Sequence, residues 1–172
     1  MVFNMDCKDR DYEKSICVKK RLKQNCDKFP GKVVGNVCKI GKFRMAVSYT
    51  IFGYKPKYQS HRLMSPEKFL ELAPPRGAPY NQKRIDELKE KIKKKEMDVP
   101  YFDVDVDSCQ VIDHEGRHRA EASRQLGIKK IPVVLFKKEF DPEARGMFGT
   151  KGVHYDSTEK IKCEELTPQA SN

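Results

Sequence analysis

The sequence has no apolar run long enough to cross a bilayer, no Cys-x-x-Cys pair, no internal repeat and no basic amphipathic helix with a broad apolar face. Each absence removes a class of protein. A spanning helix needs roughly 20 consecutive apolar residues, so a membrane protein of that type is excluded. The first fourteen residues, MVFNMDCKDRDYEK, carry charge too early for the apolar core of a secretory signal, and a cytoplasmic location is expected. In that compartment the six cysteines are expected to be reduced thiols. Cys7, Cys17, Cys26 and Cys38 have nine, eight and eleven residues between them, without the tight pairs of structural zinc sites, so the spacing argues against zinc. Cys109 and Cys163 stand alone. With no broad apolar helix face, a membrane surface is a poor candidate partner.

What is present is positive charge, unevenly spread. The formal net charge is +10 from 35 basic and 25 acidic residues. Residues 1–62 hold 15 Lys and Arg against 5 Asp and Glu, and residues 63–172 hold 20 against 20. The excess therefore lies in the first third, densest at Lys19, Lys20, Arg21 and Lys23. Such a segment calls for a polyanionic partner, most plausibly DNA, held by contacts that weaken as salt rises. At 172 residues the chain is long enough for one core with a small appendage. The expected organisation is a basic extension with a hairpin over residues 1–60, a central domain over 61–140, and a C-terminal loop and tail over 141–172.

Local patterns place the elements. Val37 to Ile40 and the alternating run Phe43, Met45, Val47, Tyr49, Ile51 read as a hairpin turning at Gly41-Lys42. Ser65-Pro66-Glu67 has the cap, the first-position proline and the first-turn carboxylate of a short helix, with Phe69 and Leu72 inward. Asn81 can cap a second helix on which Ile85, Leu88 and Ile92 recur at helical spacing, leaving Lys89, Lys91, Lys93, Lys94 and Lys95 on a solvated face. Tyr101 to Asp107 alternates Phe102, Val104 and Val106 with Asp103, Asp105 and Asp107, a strand with a carboxylate face that is either solvated or bridged by a cation.

The most informative stretch runs from Cys109 to Phe136. Gln110 to Asp113 reads as a strand and Arg117 to Leu126 as a helix stopped by Gly127, with the turn Asp113-His114-Glu115-Gly116 between them. Ile131 to Phe136 reads as a buried strand. A helix N-terminus presents unpaired N–H groups and a partial positive charge, yet Arg117, His118 and Arg119 add cations where carboxylates are favoured. A bound phosphate resolves that inversion, because Arg can grip it bidentately and the N–H groups add donors. The phosphate-site residues are thus Gly116, Arg117, His118 and Arg119. Glu115, His114 and His118 are the candidates for proton transfer, and Asp113 with Asp107 for holding a metal.

Gly116-Arg117-His118-Arg119-Ala120, followed by Leu126-Gly127-Ile128 and Ile131-Pro132-Val133, resembles the second conserved box of the ParB/sulfiredoxin superfamily. There a G-x-(H/R)-R turn opens a helix and G-(I/L)-x-x-(I/V)-P-V follows. Ile85-Asp86-Glu87-Leu88 with Ile92 and Val99-Pro100 resembles the element upstream of it, so the likeness covers residues 62–138. It implies an α+β fold, a small mixed sheet with helices, here carrying the basic hairpin extension. It also implies a turn that binds nucleotide phosphates, with Arg76 near the family's first box as a second phosphate ligand. Members include DNA partition clamps, DNases, a sulfinic-acid reductase and a small-molecule kinase. Arg117 stands where sulfiredoxins carry cysteine, which argues against sulfinic reduction, and no helix-turn-helix pattern follows Phe136.

The expected function is therefore phosphate binding at the start of the Arg117 helix in a DNA-binding protein, with Mg²⁺ and ATP, ADP or CTP as the expected cofactors. A metal-dependent nuclease is one concrete form. The alternative is a nucleotide-dependent phosphotransferase or ATPase acting on a small molecule or protein, and a non-catalytic nucleotide-switched clamp would require a dimer.

Overall fold

The computed structural model describes residues 15–46, 59–73, 80–105 and 108–138. Within them the chain is α+β, with four helices and two small mixed sheets. The first sheet has the order β1 (Lys32–Val34), β2 (Val37–Ile40), β3 (Phe43–Ala46), β5 (Met97–Asp98). The second has the order β4 (Gln59–Met64), β8 (Ile131–Lys138), β6 (Tyr101–Asp105), β7 (Val111–Glu115). Helices α1 (Ser15–Asp27), α2 (Pro66–Leu72), α3 (Gln82–Lys93) and α4 (Arg117–Gln125) complete it. No helix among the described residues is long and apolar enough to cross a membrane.

The hairpin forms where alternation places it, with Ile40 opposite Phe43 across Gly41-Lys42. Its continuation through Val47, Tyr49 and Ile51 lies outside the described residues, as do Tyr54 to Tyr58 and residues 141–172. β1 extends the hairpin to three strands. β5 then joins the same sheet, parallel to β3, with Arg44 opposite Asp98. The basic first third is thus continuous with the central domain through hydrogen-bonded strands and a shared hydrophobic core.

Two helix starts follow from their caps. Ser65 Oγ accepts from the Lys68 N–H at 3.1 Å, and Asn81 Oδ1 accepts from the Arg84 N–H at 3.2 Å. Phe69 and Leu72 of α2, and Ile85, Leu88 and Ile92 of α3, are buried as their spacing requires. At the other end of α3, Lys95 takes a left-handed φ of 61°. The Glu96 N–H reaches back to the Lys91 carbonyl at 2.9 Å, closing the helix with a lysine where glycine is usual. Helix α4 ends conventionally: Gly127 has φ 69°, and the Ile128 N–H donates to the Ser123 carbonyl at 3.0 Å.

Residues 15–27, to which the sequence patterns assign no element, form a helix whose Leu22 and Cys26 bury one narrow stripe against the first sheet. Three expectations change. His114 and Glu115 belong to strand β7 rather than to the turn. Asp103 and Asp105 are buried, not solvated, since β6 is an inner strand covered on both faces. Asp105 accepts from Ser108 Oγ at 2.6 Å and from the Ser108 N–H at 3.3 Å. Three cysteines are not thiols: Cys26 and Cys38 form a disulfide, with Cα atoms 5.5 Å apart, and Cys109 is also disulfide-bonded. The reduced state was inferred from compartment alone, whereas α1 docking on β2 brings Cys26 to Cys38.

His61 sits 6% exposed on β4, edge-on to Phe29 with ring centroids 4.8 Å apart, and neither ring nitrogen has a hydrogen-bond partner. Burial, helped by Lys28 and Arg62, lowers its pKa from 6.5 to about 3. The unfolded chain binds the proton first, so this histidine's contribution is present above pH 6.5 and is lost as pH falls toward 3. Between pH 7 and pH 5 the loss is about 2 kcal/mol. Urea midpoints at the two pH values should differ accordingly, and His61→Leu should flatten that dependence. Closing a 12-residue separation, the Cys26–Cys38 bond adds about 3 kcal/mol by the loop-entropy relation. Replacing both cysteines by alanine should lower the urea-derived unfolding free energy by that amount, and an unchanged value would show the bond to be thermodynamically silent.

Candidate functional site

Gly116 sets the geometry of the β7–α4 junction. Its φ of 128° is a conformation that L side chains rarely adopt, and a Cβ there would overlap the Cβ of Pro100. Pro100 is fixed in turn, because its carbonyl accepts from the Val134 N–H at 3.1 Å. Beneath the junction, Phe69 and Phe102 stack with centroids 4.4 Å apart. The turn therefore lies directly on packed core. As N-cap of α4, Gly116 offers no side-chain hydrogen bond, whereas Ser65 and Asn81 cap α2 and α3.

In front of this junction is a polar cavity of about 120 Å³. Gly116, Arg117, His118 and Arg119 line it from α4, Arg84 and Lys91 from α3, and Glu96, Asp98 and Glu115 supply carboxylates. Several of these charges are already answered. Arg119 Nη2 donates to Glu115 Oε1 at 3.0 Å and its Nη1 lies 3.5 Å from the Val99 carbonyl oxygen. Arg117 donates to the Ala73 carbonyl and, at 2.6 Å, to Tyr80 Oη, with its guanidinium 4.9 Å from the Tyr80 ring centroid. Asp98 is paired with Arg44 at 3.0 Å. Among the described residues Arg84 and Lys91 have no ion-pair partner, so they are the cavity's uncommitted cations.

His118 packs edge-on to Tyr80, centroids 5.8 Å apart. Burial first, then Arg84 and Arg117, hold its pKa below the ordinary histidine value, which favours the neutral imidazole. Glu115 and His118 both line the cavity. His114 does not: it is 9% exposed, opposite Phe102 in the β6–β7 register, and strand alternation turns it away from Glu115.

Asp113 also lies off the cavity, where its Oδ1 accepts from the His114 N–H at 2.7 Å opposite Asp103. Asp107 and Arg76 lie outside the described residues. Among those described, no three His, Cys, Asp or Glu side chains converge as a metal cage. Lys19, Lys20 and Lys23 are exposed on α1, Lys23 paired with Asp27 at 2.8 Å; the Arg21 side chain is outside the described residues.

Arg84, Lys91, Glu96 and Asp98 are the lining residues that sequence reading missed. A signal existed for two of them. Arg84 and Lys91 are seven apart on α3 and flank Leu88, so one helix face carries all three. Its neighbours Lys89, Lys93, Lys94 and Lys95 make Lys91 read as one more residue of a solvated face. Glu96 and Asp98 reach the cavity only because α3 closes at Lys95 and β5 docks on β3, events without a local signature. No protein-family model, curated protein or solved structure matches the chain.

Gly116→Ala should remove about 2 kcal/mol or more of stability, from backbone strain and from the overlap with Pro100. A urea midpoint equal to that of the parent protein would show that the junction relaxes freely and does not shape the cavity.

Proposed function

We propose that this chain is a phosphate-binding protein of ParB/sulfiredoxin-like type that acts on or with DNA, and that the cavity before α4 receives either the terminal phosphates of a nucleotide or a backbone phosphate. The observation that carries this reading is the convergence of two unpartnered cations, Arg84 and Lys91, on a helix N-terminus that has no side-chain cap. Uncapped N–H groups attract an anion, and two free cations opposite them add charge-assisted bonds. Arg119 is within reach as a third cation once an anion replaces Glu115.

Size narrows the ligand. A cavity of about 120 Å³ holds the equivalent of about four waters, which suits one or two phosphoryl groups. Whole small-molecule ligands occupy roughly 300–1,000 Å³, so the nucleoside or the rest of a DNA strand lies outside. The net charge of +10, concentrated in the first third of the sequence, supports a DNA partner over a small-molecule phosphotransferase. In this reading Glu115 and His118, which line the cavity, are the groups that move a proton at the bound phosphate.

The test is calorimetry of the full chain with pyrophosphate, ATP, ADP and CTP, with and without Mg²⁺, followed by the Arg84→Ala/Lys91→Ala variant. Each lost charge-assisted contact is worth about 1.5–3 kcal/mol, so the double variant should bind pyrophosphate more than about a hundredfold more weakly. Unchanged binding in a folded double variant would remove the cavity as the phosphate site. Phosphate release in the same samples separates turnover from binding.

A further inference from the structure

Across the outward face of the first sheet, Lys32, Lys39 and Arg44 stand in one row. Lys32 is directly opposite Lys39 in the β1–β2 register, and Lys39 is directly opposite Arg44 in the β2–β3 register. Neighbouring strands lie about 4.8 Å apart, so backbone hydrogen bonds hold three cations along about 10 Å. Lys32 and Lys39 are exposed, and among the described residues neither has an acidic partner. Like charges directly opposite one another weaken strand pairing. Folding alone would favour a carboxylate at position 39, between the two other cations.

The row has a direction. Arg44, its last member, meets Asp98 on β5 at 3.0 Å, and Asp98 lines the phosphate cavity. The cations therefore lead from the sheet's β1 edge to the rim of that cavity. Helix α1 covers the opposite face of the same sheet, through buried Leu22 and the Cys26–Cys38 bond. Its exposed Lys19 and Lys20, part of the densest basic cluster in the first third of the sequence, belong to the other side of the layer.

We infer that the outward face of β1, β2 and β3 is the docking surface for a DNA backbone, with Lys32 and Lys39 facing phosphate and Arg44, paired with Asp98, ending the row at the cavity's rim. This rests on the DNA-associated reading above but uses residues distinct from the cavity. Backbone phosphates cancel the repulsion that the sheet otherwise carries, and a strand laid along the row runs toward the cavity.

Lys39→Glu is the informative variant, because it turns two like-charge pairs into two opposite-charge pairs. Its thermal midpoint should be equal to or above that of the parent protein while DNA binding falls. Fluorescence anisotropy with a labelled duplex of about 20 base pairs, between about 50 and 200 mM salt, should show at least a tenfold loss of affinity. The slope of log affinity against log salt should shrink by about one to two. Lys39→Ala should act in the same direction with a smaller slope change, Lys19→Ala/Lys20→Ala should lose less affinity than Lys39→Glu, and calorimetry should find pyrophosphate affinity unchanged in all three.

Equal DNA affinity for Lys39→Glu and a parent protein that binds would overturn the surface assignment. So would a loss confined to the α1 variant. A parent protein that binds pyrophosphate but no DNA would overturn the DNA-associated reading itself.

Discussion

Gly116 approaches Pro100 so closely that no side chain fits between them, and the arrangement of the cavity depends on that contact. Pro100 ends the short link between β5 and β6, and Gly116 ends β7 and begins α4. Their approach brings the α4 N-terminus over the stacked rings of Phe69 and Phe102, beside the segment that carries Glu96 and Asp98. A bulkier residue at 116 would lift α4 off the core and separate Arg117, His118 and Arg119 from Arg84 and Lys91. The glycine matters more for how close it lets the backbone come than for the flexibility it adds.

Charge in this region is arranged in two tiers. Arg117 and Arg119 are partly structural: one satisfies the Ala73 carbonyl at the end of α2, the other bridges β7 to the Val99 carbonyl. Arg84 and Lys91 have no such role and remain available for an external anion. Glu115 compensates Arg119 from within the cavity, so an anion entering there exchanges one partner of Arg119 for another instead of meeting a bare charge. Such exchange lowers the repulsion among cations without ligand and retains their attraction for an anion.

The first sheet connects these features to the basic third of the chain. Its buried face is locked to α1 by Cys26–Cys38, and Gly31 packs against both sulfurs, leaving no room for a larger residue. Its outward face is left cationic and, through Arg44 and Asp98, reaches the cavity. A rigid layer with cations on one side suits recognition of a repeating anion better than a flexible basic tail, since less side-chain and backbone freedom is lost on contact.

Local chemistry was enough to locate α2, α3, α4, the β2–β3 hairpin and the glycine junction that opens α4. Their caps, their periodicity of apolar residues and their stop signals act within four or five residues, so they are written in the sequence itself. The α+β class follows from the same elements. Helix α1 escaped because its apolar stripe is narrow and its charge dominates its composition. The disulfide, the burial of Asp103 and Asp105, the removal of His114 from the cavity and the arrival of Arg84, Lys91, Glu96 and Asp98 all needed tertiary structure. Each depends on which strand lies beside which, and strand order is fixed by burial summed over the whole chain and by no short stretch of it. The cation row is the clearest case: Lys32, Lys39 and Arg44 are unremarkable lysines and arginine in sequence, and only the register of three strands makes them neighbours.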